Sequence, residues 1–346
     1  MGIKLSHKYR LRFSGVMSIP VIDLATALAP KSKNIQAVVH QFHQAATSSG
    51  FFYVKNHGIA KEIIERQFAL AEEIFNLPLS TKLKYDQSLN ASHLGFEQLA
   101  AQKSDYSGKP DIKEGFYCGK NYPKDHPYVL AKYQGYGINQ WPSAEVPAME
   151  QYCQEYIEQL SGLAQRIMQL LALSLSLDEH YFDECCHDPM ITLKMLCYPP
   201  HPVDADEYSY GVGAHTDWGS ITILAQDTCG GLEVCLPDGT WVAAPPIDGT
   251  FIVNLGDLIP RWSNDLFKSN PHRVRNLFSK GQSRYSIPFF FGPNYMTPIN
   301  ALPGTVKVGE QYRYTPCTAG EHMEQMYQRA YDLSQEEQKG VEALIV

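Results

Sequence analysis

The chain lacks any long hydrophobic run, which excludes the commonest kind of membrane protein. No window approaches the roughly 18 continuous apolar residues that a membrane-spanning helix needs. Hydrophobic residues nevertheless make up 44% of the 346 residues, enough to form a large buried core in a chain of this length. The sequence therefore predicts a globular protein with no membrane partner.

The chain also lacks cysteines at the spacing of a metal or redox site. Its eight cysteines show neither a C-x-x-C pair nor a zinc pattern. They are Cys118, Cys153, Cys185, Cys186, Cys197, Cys229, Cys235 and Cys317. Because no secretory signal precedes them, we interpret them as reduced thiols, which predicts a cytoplasmic protein.

Positive charge is scarce as well. The 29 basic and 37 acidic residues give a formal net charge of −8, whereas a nucleic-acid partner requires a basic surface. Nucleic acid is therefore not an expected partner. Residues 1–17 differ, with four basic side chains and no acidic one. We interpret them as a leader or disordered extension, or as residues upstream of a true translation start at Met17; a transit peptide is the alternative.

Helical patterns dominate the first part of the chain. Apolar residues recur at helical spacing in 34–48, 60–76 and 147–175. Residues 86–147 are rich in Gly, Pro, Asn and Asp, yet they also carry many aromatic side chains, which disordered segments lack. We interpret 86–147 as an ordered cover over a substrate pocket, with simple packing under a long loop as the alternative. The helical N-terminal part with this cover spans 18–190.

From residue 191 onward, short apolar segments alternate with turns. The predicted strands are 191–198, 211–226, 231–236, 240–244, 250–255, 270–276 and 284–291. Strands of this length and spacing are typical of a sandwich or barrel, and the jelly roll is one such fold. We therefore expect a single domain over 18–346, with a β core at 191–315 and a C-terminal helix in 316–346, mostly at about 319–332.

A candidate metal site stands in the second of these strands. His215 and Asp217 are two residues apart, so on a strand they would face the same side. Alone, a His-x-Asp triplet is weak evidence, because a hydrogen-bonded histidine at a strand end explains it as well. A later strand supplies His272, which a closed β-fold can bring beside the pair. Two histidines and one carboxylate on one face of an octahedral metal are typical of non-haem Fe(II) oxygenases.

A candidate anion site follows in the last predicted strand. Arg284 and Ser286 share a strand face by the same period of two. A guanidinium group and a hydroxyl group together bind a carboxylate well. The alternative is a structural arginine in a salt bridge.

In this order and spacing, His215-x-Asp217, His272 and Arg284-x-Ser286 resemble the iron- and 2-oxoglutarate-dependent oxygenases of the isopenicillin N synthase-like family. The resemblance extends over most of the chain. It implies a mostly β fold with flanking helices, built on a double-stranded β-helix, which is a distorted jelly roll. Residues of the chain that match the family motif would then bind the metal and its co-substrate.

The resemblance implies a role for each motif residue. His215, Asp217 and His272 would be the catalytic iron ligands, while Arg284 and Ser286, with Tyr198, would hold the distal carboxylate of 2-oxoglutarate. The cofactors implied are Fe(II), 2-oxoglutarate and dioxygen, with ascorbate as a reductant. The reaction implied is oxidation, by default hydroxylation, of a small organic molecule with formation of succinate and carbon dioxide. Leu196 departs from the family, since many relatives have asparagine there.

Two aromatic residues are candidates for substrate contact. Phe290 has the same strand parity as Arg284 and Ser286, and Phe116 belongs to the predicted cover. Plain core packing is the alternative for both. Two other functions also stay open: a family member that oxidises or cyclises its substrate without 2-oxoglutarate, and a non-catalytic jelly-roll binding protein. The sequence gives no oligomeric state.

Overall fold

Two β-sheets, of eight and four strands, form the framework of the protein. The structure, a computed structural model, describes residues 19–29, 35–90, 92–102, 110–200, 211–275 and 281–329. The strands in these ranges are β1 (Val21–Asp23), β2 (Phe51–Lys55), β3 (Gly95–Glu97), β4 (Glu114–Cys118), β5 (Met190–Tyr198), β6 (Val212–His215), β7 (Ile221–Gln226), β8 (Leu232–Cys235), β9 (Trp241–Ala243), β10 (Thr250–Leu255), β11 (His272–Val274), β12 (Arg284–Gly292), β13 (Pro298–Ile299) and β14 (Cys317–Thr318). The helices are α1 (Ala25–Leu28), α2 (Ile35–Ser48), α3 (Lys61–Phe75), α4 (Leu79–Lys82), α5 (Pro127–Leu130), α6 (Met149–Ser174), α7 (Leu258–Ser263) and α8 (319–329).

The order of the strands is that of a jelly roll. The large sheet runs β1-β2-β10-β7-β12-β5-β4-β3 and the small sheet β6-β11-β8-β9. The pairings in these sheets are antiparallel in the described ranges, apart from the parallel pair β1 and β2. From β5 onward the chain passes back and forth between the two sheets, as a double-stranded β-helix requires. The predicted fold is therefore confirmed.

Alternate residues of the large sheet face two different cores. On β5, Ile191, Leu193 and Met195 point into the core between the sheet and the helices. Leu196 and Tyr198 instead lie in a second core, which includes side chains of both sheets. This alternation follows from the pleat of a strand, whose successive side chains point to opposite faces. We call the face of Leu196 and Tyr198 the inner face, because it is turned toward the small sheet.

The long helix α6 supports the other face of the large sheet. Its side chains Leu160, Leu163, Ile167 and Leu171 recur every three or four residues and are almost fully buried. Burial of each such side chain stabilises the fold by roughly 1.5–3 kcal/mol. The helices α2 and α3 pack beside α6, so the inner face of the sheet is held rigidly from behind.

The structure corrects the prediction for 86–147. This segment is not only an irregular cover, because β3 and β4 lie in it and extend the edge of the large sheet beside β5. The two strands are only three and five residues long, and turn-forming residues around them conceal the strand pattern. The inner face therefore includes β4, which brings polar side chains of this segment toward the predicted site.

Some predicted features lie outside the described residues, among them the N-terminal extension 1–17 and the end of the last helix near 332. Within the described ranges, none of the helices combines the length and the apolar character needed to cross a membrane.

Candidate metal and co-substrate site

Strand pairing brings the two predicted histidines together. The strands β6 and β11 are antiparallel neighbours, and His215 lies directly opposite His272. Side chains at directly opposed positions have Cβ atoms about 4.5–5.5 Å apart. The two imidazole rings accordingly lie 4.3 Å apart between their centroids, at an interplanar angle of 51°. A contact between residues far apart in sequence is thus fixed by the register of one strand pair.

Asp217 joins the histidines in a different way from the one predicted. The strand β6 ends at His215, so Asp217 belongs to the loop before β7 and the period-two argument does not apply to it. The turn after β10 holds this loop, since the backbone N–H of Asp257 donates to the carbonyl oxygen of Asp217 at 2.8 Å. Gly256 makes that approach possible, because a Cβ atom there would lie 2.4 Å from the Gly219 carbonyl oxygen.

The two oxygens of the Asp217 carboxylate have different partners. Oδ2 accepts hydrogen bonds from Thr222 Oγ1 at 2.5 Å and Asn254 Nδ2 at 2.7 Å. Oδ1 is left facing Nε2 of His215 at 3.8 Å and Nε2 of His272 at 3.7 Å. Burial raises the pKa of Asp217, but the two histidines and the two hydrogen bonds outweigh burial and hold this pKa below its ordinary value. The carboxylate is therefore ionised at neutral pH.

Both histidines are set up to offer a lone pair from Nε2. Nδ1 of His215 lies 2.8 Å from the carbonyl oxygen of Gly213, and because a carbonyl only accepts, Nδ1 carries the proton. Burial, together with the nearby His215, lowers the pKa of His272 to about 4, so the His272 ring is neutral at neutral pH. Neutral imidazole is the form that binds metals.

The three side chains fit an iron ion. One ligand atom from each of His215, Asp217 and His272 lies within 4.8 Å of the others. Two imidazole nitrogens and one carboxylate oxygen are the donor set of the facial triad, which leaves coordination positions open for other ligands. The Asp217 carboxylate is oriented by hydrogen bonds from Thr222 and Asn254, an arrangement typical of metal-binding carboxylates.

The predicted carboxylate receptor lies on the inner face of the large sheet. Arg284 stands opposite Tyr198 across β12 and β5, and its guanidinium carbon lies 4.6 Å from the centre of the Tyr198 ring. Only 1% of Arg284 is exposed. Nε donates to the carbonyl oxygen of Gly230 at 2.6 Å, while Nη1 is buried with no hydrogen-bond partner among the described residues.

Nη2 of Arg284 donates to Oε1 of Gln226 at 3.4 Å, so Nη1 is the guanidinium nitrogen that lacks a partner in the described structure. A buried, unpaired Nη1 in this position indicates a ligand. A buried donor without an acceptor costs about 1–3 kcal/mol, and a charged donor costs more. No carboxylate of the described ranges forms an ion pair with Arg284, so the structural salt bridge that the sequence left open is not observed there. Ser286, two residues along the same strand, is also buried and shares the face of Arg284. The two side chains are placed to receive a carboxylate.

The two aromatic candidates face in opposite directions. Phe290 lies on the inner face of β12 and is half-buried. Phe116, which was predicted to line the substrate pocket, stands opposite Met195 and belongs to the core on the helix side. Its neighbour Tyr117 occupies the inner face instead. Because β4 was not recognised as a strand in the sequence, it was not possible to predict which of its side chains face each side of the sheet.

Sequence reasoning did not single out Lys194 on β5. It stands two residues before Leu196 on the inner face, directly opposite Tyr117. The signal in the sequence is a charged residue within the apolar run Thr192 to Leu196, at the parity of Leu196 and Tyr198. Leu196 itself packs in the core between the sheets, where an asparagine would need a hydrogen-bond partner.

Comparison with known proteins agrees with this geometry. Residues 19–144 match the family model of the N-terminal region of "non-haem dioxygenase in morphine synthesis", and residues 186–293 match the 2OG-Fe(II) oxygenase superfamily. The chain is 38% identical over 317 residues to the 2-oxoglutarate-Fe(II) type oxidoreductase hxnY of Emericella nidulans, covering 90% of each chain.

Solved structures have the same fold. The full-length T7H of Neurospora crassa in complex with alpha-KG (2-oxoglutarate) superimposes with a TM-score of 0.79 at 29% identity, covering 89% of this chain and 95% of that one. The complex of the same protein with alpha-KG and thymine gives a TM-score of 0.77 at 28% identity, covering 88% of this chain and 94% of that one.

The chain therefore belongs to the 2OG-Fe(II) oxygenase superfamily. It is an oxidoreductase, a dioxygenase that depends on Fe(II) and 2-oxoglutarate. The prediction of an Fe(II)- and 2-oxoglutarate-dependent oxygenase is confirmed, together with its enzyme class and its cofactors Fe(II), 2-oxoglutarate and dioxygen. Of the functions that the sequence left open, the comparisons favour the 2-oxoglutarate-dependent enzyme over a non-catalytic binding protein.

Proposed function

We propose that His215, Asp217 and His272 hold the Fe(II), and that Arg284, with Ser286 and Tyr198, holds the distal carboxylate of 2-oxoglutarate. The observation that carries the proposal is the buried, unpaired Nη1 of Arg284. It lies on the inner face of the same β-fold that holds the His-Asp-His group. Iron alone would not require this cation, whereas a dicarboxylate co-substrate would.

The reaction proposed is hydroxylation of a small organic molecule. When bound, Fe(II) would supply the redox chemistry that converts dioxygen, 2-oxoglutarate and the substrate to succinate, carbon dioxide and the hydroxylated product. One oxygen atom of dioxygen enters succinate and the other enters the product, so the atoms balance. The similarity to T7H, which has been solved with thymine bound, supports a small planar substrate.

The residues of this chain contribute binding, charge and orientation. Asp217 is kept ionised by its hydrogen bonds and by the histidines, so it can offset part of the metal charge. The proton on Nδ1 of His215 is fixed by the Gly213 carbonyl, which aims Nε2 toward Asp217. The buried Arg284 would fix the far end of the co-substrate and thereby its orientation.

Two further assignments complete the proposal. The order of the motifs supports membership of the isopenicillin N synthase-like branch. All eight cysteines are free, which supports a reducing compartment and hence a cytoplasmic location.

Calorimetric titration without oxygen tests the proposal. 2-Oxoglutarate is titrated into protein loaded with Fe(II), using the wild type, His272→Ala and the control His40→Ala, which alters an exposed histidine of α2. We expect the wild type and His40→Ala to bind 2-oxoglutarate in a metal-dependent way, and His272→Ala to bind it far more weakly. Equal metal-dependent binding by all three proteins would show that His272 is not a ligand.

A further inference from the structure

Asp257 precedes helix α7 and is its N-cap residue. An aspartate in that position usually accepts a hydrogen bond from a backbone N–H group in the first turn of the helix. Asp257 makes no such bond, and it forms no ion pair with the residues that the structure describes. Its carboxylate therefore serves neither of the two structural roles that are commonest for an aspartate at the start of a helix.

The carboxylate of Asp257 instead binds two hydroxyl groups. Oδ2 accepts a hydrogen bond from Oγ1 of Thr216 at 3.0 Å, and Oδ1 accepts one from Oγ of Ser269 at 2.8 Å. Thr216 stands between the first two proposed metal ligands, and Ser269 lies three residues before the third, His272. One carboxylate thus joins the two chain segments that carry the three proposed ligands.

The turn that carries Asp257 is itself held in place. It follows β10, which lies inside the large sheet between β2 and β7. The backbone N–H group of Gly256 donates to the carbonyl oxygen of Ser220 at 2.8 Å. The backbone N–H group of Leu258 donates to the carbonyl oxygen of Gly219 at 3.2 Å. Because an inner strand and these bonds fix the turn, Asp257 can hold other segments in position.

Strand pairing holds the segments that Asp257 joins only in part. Thr216 follows the end of β6, and Ser269 precedes the start of β11. The pairing of β6 with β11 is also irregular between His272 and Val274. Neither hydroxyl-bearing residue lies in the ladder between these strands. The two bonds to Asp257 therefore add a connection between the segments that the ladder does not supply.

We propose that Asp257 is a positioning residue of the metal centre, which joins the loop of Asp217 to the segment of His272 and so raises the affinity of the site for Fe(II). Asp257 is not one of the three clustered ligands, so it acts on the metal through the residues that bind it. Hydrogen-bond partners of metal ligands typically change metal affinity by about 10–100-fold. The inference rests on the proposed function, because it concerns the metal site assigned there.

Four variants separate this bridge from other effects. Asp257→Ala removes both hydrogen bonds, while Thr216→Val and Ser269→Ala remove one each. Asp257→Asn keeps the shape of the side chain. Its amide can accept from one hydroxyl group and donate to the other, because a hydroxyl group both donates and accepts. The control is Thr250→Val, which removes a hydroxyl group bonded to the Ile247 carbonyl oxygen at the start of β10.

The measurement is the Fe(II) affinity of the whole protein, titrated calorimetrically without oxygen, together with the urea unfolding of the metal-free protein. We expect Asp257→Ala to bind Fe(II) about 10–100-fold more weakly than the wild type, and Asp257→Asn to restore most of that loss. Thr216→Val and Ser269→Ala should each cause a smaller loss, whereas Thr250→Val should bind as the wild type does. Thr216→Val should cause no further loss when it is added to Asp257→Ala.

A wild-type Fe(II) affinity in Asp257→Ala, with or without a lower free energy of unfolding, would overturn the inference and leave Asp257 a structural residue. The same follows if Thr216→Val weakens binding as much in Asp257→Ala as in the wild type. If Asp257→Ala does not fold, wild-type affinity in both Thr216→Val and Ser269→Ala would overturn the inference. Failure of the wild type to bind Fe(II), or equal binding by His272→Ala, would instead refute the proposed function.

Discussion

Replacement of Arg284 by methionine tests the co-substrate receptor in isolation. Methionine is unbranched and apolar, so it can occupy much of the same buried space. The change removes the hydrogen bond from Nε to Gly230, but it also removes a buried cation whose Nη1 has no partner in the described structure. The two effects on the free energy of unfolding oppose each other, so we expect a shift of the unfolding midpoint of only a few degrees.

The effect on 2-oxoglutarate should be much larger. A hydrogen bond to a charged group contributes about 1.5–3 kcal/mol, and about 1.4 kcal/mol corresponds to a factor of ten in affinity. Arg284→Met should therefore raise the KM for 2-oxoglutarate about 10- to 100-fold. Metal binding should persist, because Arg284 is not among the three clustered ligands.

The assay is succinate formation at varied 2-oxoglutarate, with metal content measured on the same samples. Arg66→Met is the control, since Arg66 on α3 pairs with Glu155 on α6 on the helix side of the fold. It should leave the KM unchanged. A KM for 2-oxoglutarate within twofold of wild type in Arg284→Met would show that another cation holds the carboxylate, and the reasoning from the unpaired Nη1 would be refuted.

Two other changes test other parts of the site. His272→Ala should lose most bound iron, measured by elemental analysis, while His40→Ala keeps it. The fold of both variants should persist in circular dichroism, because His40 is exposed and Nδ1 of His272 has no hydrogen-bond partner among the described residues. Gly256→Ala should lower the free energy of unfolding by about 1–3 kcal/mol in urea denaturation, because its Cβ atom would meet the Gly219 carbonyl oxygen at 2.4 Å.

Each of these has a contrary outcome. Iron content in His272→Ala equal to that of the histidine control would remove this residue from the metal site. An unfolding free energy of Gly256→Ala equal to wild type would mean that the loop of Asp217 can move aside without cost.

The proposed metal site could be predicted from the sequence because its signal is chemical. His215, Asp217 and His272 have few other reasons to occur in that order with Arg284 and Ser286 downstream. The geometry that brings the three side chains together was harder to predict from the sequence. The sequence placed Asp217 on a strand, whereas the register of β6 with β11 and a backbone clamp from the turn after β10 bring it to the histidines. Tertiary hydrogen bonds of this kind leave no periodic pattern in the chain.

The edge of the large sheet was the part that the sequence concealed. Strand β4 has five residues in a segment rich in turn formers, and pairing with β5 rather than local propensity stabilises it. The alternation of side chains along β4 decides whether Phe116 or Tyr117 lies on the inner face of the large sheet. The residues that β4 contributes to this face therefore depend on a strand that was not predicted.

The measurement that tests the central claim most directly is succinate formation from 2-oxoglutarate with Fe(II), ascorbate and air, in the absence of any other substrate. The wild type is compared with His272→Ala at equal protein concentration. An enzyme of this class should turn over 2-oxoglutarate slowly by itself, so we predict succinate from the wild type and none above background from the variant. Equal succinate from the two proteins, or none from a wild type that has bound iron, would contradict the account.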